Sequence, residues 1–233
     1  MRIRHILLPL AIALTFALTP PAEAREGRVV AIGSHELTVA LADGDCFFDA
    51  DHPEDRRLID QISGSLGDKI VLLLAFAECG TLEGRRTGTP STVSRFGYVM
   101  IADAHLESVF AFDQATLAAA ITKALDDLKT LDYRADINRL ATDIERIWPA
   151  LPPGGQQELG IVHRDRFGPV LATVLSVPSA AGPPTPRLQL RQSVLAAGKV
   201  LGIVATRDYT NAETVFDVYG DLSAVVEATA ARN

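Results

Sequence analysis

The chain has 233 residues, with 22 Lys and Arg against 29 Asp and Glu and a formal net charge of −7. That acidity argues against a nucleic-acid partner, which needs a basic face to displace counterions. It equally argues against adsorption to anionic lipid, while the length suffices for one sizeable core.

The N-terminus reads as a secretory signal. Arg2, Arg4 and His5 form a positive start, residues 6–18 carry no charge, and Thr19-Pro20-Pro21 breaks any helix. Ala22-Glu23-Ala24 then offers small residues at the two positions that signal peptidase requires, so cleavage is expected after Ala24. The alternative is a retained membrane anchor, but the apolar run falls short of the ~18 residues a spanning helix needs. No Cys follows that run and no Arg-Arg pair precedes it, so the lipoprotein and twin-arginine signatures are missing. Loss of Arg2, Arg4 and Glu23 makes the mature chain one unit more acidic. No later apolar run is long enough to span a membrane. The expectation is a soluble periplasmic or secreted protein, residues 25–233, forming a single α+β domain with a possible sub-boundary at 149–156.

Residues 28–32 and 36–41 read as short strands around a Gly33-Ser34 turn, and Cys46-Phe47-Phe48 is a brief apolar run. Pro53 suits the first position of a helix, with Asp51 or His52 as cap. Leu58, Ile59, Ile62 and Leu66 share its apolar face, and Gly64 and Gly67 are expected to end it. Residues 70–77 are continuously apolar, as a central two-sided strand requires. Residues 80–94, rich in Gly, Thr, Ser and Arg, read as a mobile surface loop; residues 96–102 follow as a strand. Asp113 caps the next helix, whose stripe is Leu117, Ile121, Ala124, Leu125 and Leu128. Tyr133, Ile137, Leu140, Ile144, Ile147 and Trp148 predict another, stopped by Pro149.

Leu151-Pro152-Pro153-Gly154-Gly155 is the strongest linker signal. Beyond it come strands at 159–162 and 170–177, a Pro-rich loop at 178–186, and a hairpin of 188–195 with 200–206 turning near Gly198-Lys199. Thr210 with Glu213 predicts a capping box before a last helix carrying Val215, Val218, Tyr219, Leu222, Val225 and Val226. Strands fall in adjacent runs and few alternate singly with helices. The predicted class is therefore α+β, a largely antiparallel sheet with helices packed on it.

Cys46 and Cys79 are the two cysteines. In an oxidising compartment an even count predicts a bridge, closing a loop worth roughly 3–4 kcal/mol in lost chain freedom. The alternative is two separate buried thiols.

The strand pair, the helix after Asp51-His52-Pro53-Glu54-Asp55, the following strands, the later paired strands and the closing helix resemble the PsbP/Mog1-like α/β/α sandwich found among exported bacterial proteins. The resemblance rests on element order over residues 28–231. It implies a fold and a binding or accessory role, and carries no functional residue with it.

The densest polar cluster is Asp43, Asp45, Asp49, Asp51, His52, Glu54 and Asp55. Its carboxylates suit Ca²⁺, and Asp49-x-Asp51 resembles part of an EF-hand loop, but no Gly and no closing Glu stand where that loop needs them. A solvated turn with negative charge at a helix N-terminus is the simpler reading. A thiol nucleophile would pair Cys46 with His52, or Cys79 with His105 or His163; oxidation of both sulfurs speaks against it. His35, His52, His105 and His163 are too scattered for a zinc set. Phosphate loops, nucleophile elbows and dinucleotide fingerprints find no match. Arg85-Arg86 and Arg164-x-Arg166 read as solvated basic spots, and Phe47, Phe48, Phe76, Phe96, Trp148 and Phe167 as core. No catalytic residue, cofactor or metal is assigned. The leading expectation is a non-catalytic accessory or binding protein with an unknown protein or small-molecule partner. The alternatives are a hydrolase with carboxylate acid/base residues and a structural subunit of an envelope complex.

Overall fold

A computed structural model describes residues 27–89, 92–127, 137–179 and 182–233. Its frame is a seven-stranded sheet in which every neighbouring pair runs antiparallel. The strands are β3 (Asp45–Phe47), β4 (Ile70–Glu78), β5 (Arg95–Ala102), β6 (Gln156–Asp165), β7 (Gly168–Val177), β8 (Thr185–Ala196) and β9 (Lys199–Asp208). Their spatial order is β3-β4-β5-β9-β8-β7-β6. A separate hairpin, β1 (Gly27–Ile32) with β2 (His35–Ala40), turns at Gly33 and Ser34 as expected.

Helices cover both faces. On one lie α5 (Glu213–Ala230), α4 (Ile137–Ile147) and the β1–β2 hairpin. Val218, Leu222 and Val225 of α5 join Leu140 and Ile144 of α4 and Leu37 and Val39 of β2 over the sheet residues Val99, Ile203, Leu190 and Val174. On the other face, α1 (Pro53–Leu66) sets Leu58, Ile59 and Ile62 against Ala75, Ala77 and Tyr98, and α2 (Cys79–Arg86) adds Leu82. Further along that face, α3 (Gln114–Asp127) packs Ile121 and Leu125 on Ile161 and Leu171. The α+β class, the antiparallel sheet and the packed helices all follow the sequence pattern.

Local chemistry explains the boundaries. Pro53 opens α1, and the His52 Nδ1 accepts the Glu54 N–H at 3.3 Å. The helix runs through Gly64 and stops at Gly67, whose φ is +73°, so only the second glycine ends it. The Asp113 carboxylate accepts the Thr116 N–H at 2.8 Å and caps α3. Ala197 and Gly198 both have positive φ, 47° and 73°, as a two-residue hairpin between twisted strands requires. At Gly97 a Cβ would lie 2.3 Å from the Phe76 ring; hydrogen at this position is what lets Phe76 cross β5.

Two local expectations need correction. Residues 80–94 are not a mobile loop at their start: Cys79–Arg86 is helix, with Leu82 fully buried and Arg86 tied to Asp55. Short length and two glycines, Gly80 and Gly84, hid a helix that tertiary contacts hold. Thr210 is not a capping-box residue. The Asn211 side chain accepts the Glu213 N–H at 2.8 Å, and the Thr214 hydroxyl reaches back to the Thr210 N–H at 3.2 Å. Lys199, next to the hairpin turn, is fully buried, with Nζ donating to the carbonyls of Leu106 and Ser108 at 2.7 and 2.9 Å. Leu128 and Tyr133 lie outside the described residues.

The 149–156 segment is stitched to β7, with Gly154 N–H on the Ser176 carbonyl at 2.7 Å and Ser176 N–H on the Gly155 carbonyl at 2.9 Å. Trp148 and Leu151 pack on the same core as the strands to either side.

Candidate functional site

The acidic segment is structural wherever its side chains are engaged. Asp55 is fully buried. Its Oδ2 accepts from Arg86 Nε at 3.0 Å and from the Asp49 N–H at 2.8 Å, while Arg86 also donates to the Phe47 carbonyl at 3.2 Å. The Asp49 carboxylate accepts the Asp51 N–H at 2.9 Å. Glu54 pairs with Arg57 at 2.6 Å and with Arg85 at 3.3 Å. These bonds fix the start of α1 and join it to α2, so Arg85-Arg86 is a clamp and not a solvated basic spot.

Asp45 stands apart, on the α5 face. Arg95 bridges it at 2.9 Å to Asp221 of α5 at 3.0 Å, and Arg207 continues the ladder to Asp221 at 2.9 Å and Asp217 at 3.0 Å. Burial pushes the Asp45 carboxyl up to about 6, outweighing the Arg95 guanidinium, with Asp221 and Glu78 adding to the rise and Arg207 opposing it. The void beside it is bounded by Phe76, Ala205 and the Arg95–Asp221 pair and has no room for a water molecule.

Cys46 and Cys79 are joined, with Cα atoms 4.9 Å apart. The bridge ties the short edge strand β3 to the first residue of α2 and occupies both sulfurs, so neither is a nucleophile. The histidines remain separate. His52 caps α1, His105 sits edge-on to Phe110 at 5.1 Å, and His163 packs on Tyr219 at 4.7 Å. The Tyr219 hydroxyl bonds to Asp165 at 3.2 Å. Arg166 lies over Phe167. Phe47, Phe48, Phe76 and Phe167 are core, and Trp148 is partly so.

An open feature among the described residues is the sheet surface that α1 and α3 leave uncovered. Two clefts meet there at Ser65. One, about 740 Å³, has Leu58, Ile62, Phe96, Val177 and Arg187 in its walls. The other, about 700 Å³, runs between Leu66, Ile70 and Met100 on one side and residues 154–158 on the other, over Tyr98, Thr173, Leu175, Gln189 and Arg191.

Register explains the trough. Phe96 and Gln189 both face Thr206, Tyr98 and Arg191 both face Val204, and Met100 and Ser193 both face Gly202. The middle strand β9 thus presents small side chains between larger ones on β5 and β8. A Cβ at Gly202 would lie 2.9 Å from the Met100 Cε, so Met100 leans into that gap.

The two arginines of the trough differ. Arg187 is saturated, with Nε on Asp208 at 2.8 Å and Nη2 on the Val93 carbonyl at 3.2 Å, and its guanidinium lies over Phe96. Arg191 meets only Glu158, at 3.6 Å, with both side chains more than 40% exposed (43% and 47%); such a pair contributes little. The Tyr98 hydroxyl donates weakly to Gln189 Oε1 at 3.5 Å. Burial raises its ionisation above the usual 10, against the opposing pull of Arg191, so it stays a phenol and a donor.

Sequence reasoning passed over this surface, although its signal was present. In Arg187-Leu188-Gln189-Leu190-Arg191 the polar and apolar residues alternate, and β8 is an interior strand of the sheet. An interior strand with one polar face has one face that nothing covers. Phe96, expected in the core, packs against the α1-face cluster and also walls the cleft.

No family model matches the chain, and no curated protein matches it. Among solved structures, a protein from Rhodobacter sphaeroides is similar at 16% identity, over 71% of this chain and 94% of that one, with a TM-score of 0.18. A likeness at that score carries no argument about fold or role.

Proposed function

We propose that this chain is an exported, non-catalytic binding or accessory protein of the bacterial envelope, and that the uncovered α1 face of the sheet is its working surface. The observation that carries the reading is the trough over β5, β9 and β8: two adjoining clefts with apolar walls and a polar floor set on rigid strands. Binding sites in this size range combine apolar walls with a few placed polar groups.

Export is supported by the N-terminal pattern and by the Cys46–Cys79 bridge, since disulfides persist in oxidising compartments. Among the described residues no helix is long and apolar enough to cross a membrane. Helices on both faces of one antiparallel sheet favour the PsbP/Mog1-like sandwich suggested by element order.

The hydrolase alternative draws on Asp45, the one carboxylate among the described residues raised toward neutrality, which shares Arg95 with Asp221. The closed void beside the pair leaves no place for a substrate, so the binding reading is preferred. A pull-down of the tagged protein from its native envelope fraction tests it. Wild type retains a partner or ligand that the cleft-filling variant Gln189→Trp, folded to the same extent by circular dichroism, fails to retain. Equal capture by both removes the cleft from the account.

A further inference from the structure

Resting on that reading of the cleft, we infer that its Arg191 end is a subsite for a small organic monocarboxylate with an apolar tail. Four donors line this end: the Arg191 guanidinium, the Gln189 amide nitrogen, the Tyr98 hydroxyl and the Thr173 hydroxyl. Gln189 and Thr173 face each other across β8 and β7, and Tyr98 and Arg191 flank Val204 on the next rung. Tyr98 on β5 and Gln189 on β8 are two strand spacings apart, about 10 Å, which their long side chains span in the 3.5 Å contact between them, and Thr173 stands beside Gln189 on β7.

Among the described residues only a long Tyr98–Gln189 bond and a loose Arg191–Glu158 contact engage the four. The Gln189 carbonyl oxygen takes the long Tyr98 bond, and its amide nitrogen has no acceptor among the described residues. Arg191 has only the loose Glu158 contact. A carboxylate offers two oxygens with about four acceptor sites, and an arginine fork with neutral donors matches that set.

Charge selects the class further. In a chain of net charge −7, an exposed and loosely paired arginine in an apolar-walled cleft is a local attraction for anions. Glu158 beside it limits that attraction to a single negative charge, because a dianion would face its carboxylate. A cation would meet Arg191 directly. The tail has its own place: Leu66, Ile70, Met100 and Leu175 line the same cleft. At the other end Arg187 is neutralised by Asp208, so a second acidic group would find no unpaired cation there.

Isothermal titration of the purified protein with octanoate, octanol, octylamine and octyl phosphate tests the assignment. Octanoate is expected to bind saturably and more tightly than the other three. Arg191→Gln is expected to weaken octanoate by at least about tenfold and to leave octanol unchanged, and Glu158→Gln to admit octyl phosphate. Octanol binding as tightly as octanoate, and blocked by Gln189→Trp, overturns the carboxylate subsite while the cleft stands. No uptake of any probe, together with envelope capture that Gln189→Trp leaves unchanged, overturns both.

Discussion

Replacing Arg86 with Ala isolates one buried interaction whose loss is calculable from its surroundings. Asp55 is fully buried, and Arg86 is its one charged partner among the described residues while also holding the Phe47 carbonyl. Removing the guanidinium leaves a carboxylate in the interior with the Asp49 N–H as its remaining donor. Stranding one member of a buried pair costs about 3–5 kcal/mol, a large part of the ~5–15 kcal/mol that a domain has in total. At about 2–4 °C per kcal/mol for a chain of this size, the melting temperature should fall by roughly 6–20 °C. Urea denaturation at pH 7 measures the free energy directly. Adding Asp55→Asn to the variant should recover much of the loss at pH 7, since the amide needs no counter-ion. A cost below about 1 kcal/mol for Arg86→Ala, or a double variant no better than the single one, would refute the claim that this pair holds α1 to α2.

Removing the bridge with Cys46→Ala and Cys79→Ala should cost about 2–5 kcal/mol and leave the circular dichroism spectrum intact; two alkylated thiols in non-reduced protein from its own compartment would show that the bridge is absent. Asp45, raised by burial to about 6 from 3.8, favours the folded state in its protonated form. Its contribution is full below pH 3.8 and is lost as pH rises through 6. Asp45→Asn should therefore make the stability slope across that window less negative; an unchanged slope contradicts the assignment. N-terminal sequencing of the mature protein should begin at Arg25, and recovery of the intact chain only in membranes would overturn the export reading.

Architecture was legible where it depends on patterning. The alternation in 188–195, the continuous run at 70–77 and the stripe of Val215, Val218 and Leu222 each specify which face is buried, and the sheet and its helices follow. What escaped was decided by contacts distant in sequence. α2 exists because Leu82 meets the core and Arg86 meets Asp55, 31 residues away. Lys199 is buried because the 106–108 carbonyls wait for it across the fold. The cleft is hardest of all to read, since Tyr98, Thr173, Gln189 and Arg191 come from three strands and converge only through register. Its one local clue was the polar phase of β8. The acidic segment showed the opposite error of emphasis: it was conspicuous in sequence, and much of it serves the caps and clamps of α1.

The central claim is that the uncovered α1 face is where this protein meets its partner or ligand. A photo-reactive amino acid placed at Gln189, in the cleft floor, and separately at the exposed Gly220 on α5 across the sheet, compares the two faces in the intact envelope. Irradiation should give a discrete adduct, or protection from labelling by a bound small molecule, at Gln189 and not at Gly220. Adducts at Gly220 with none at Gln189 would contradict the account and move the working surface to the opposite face.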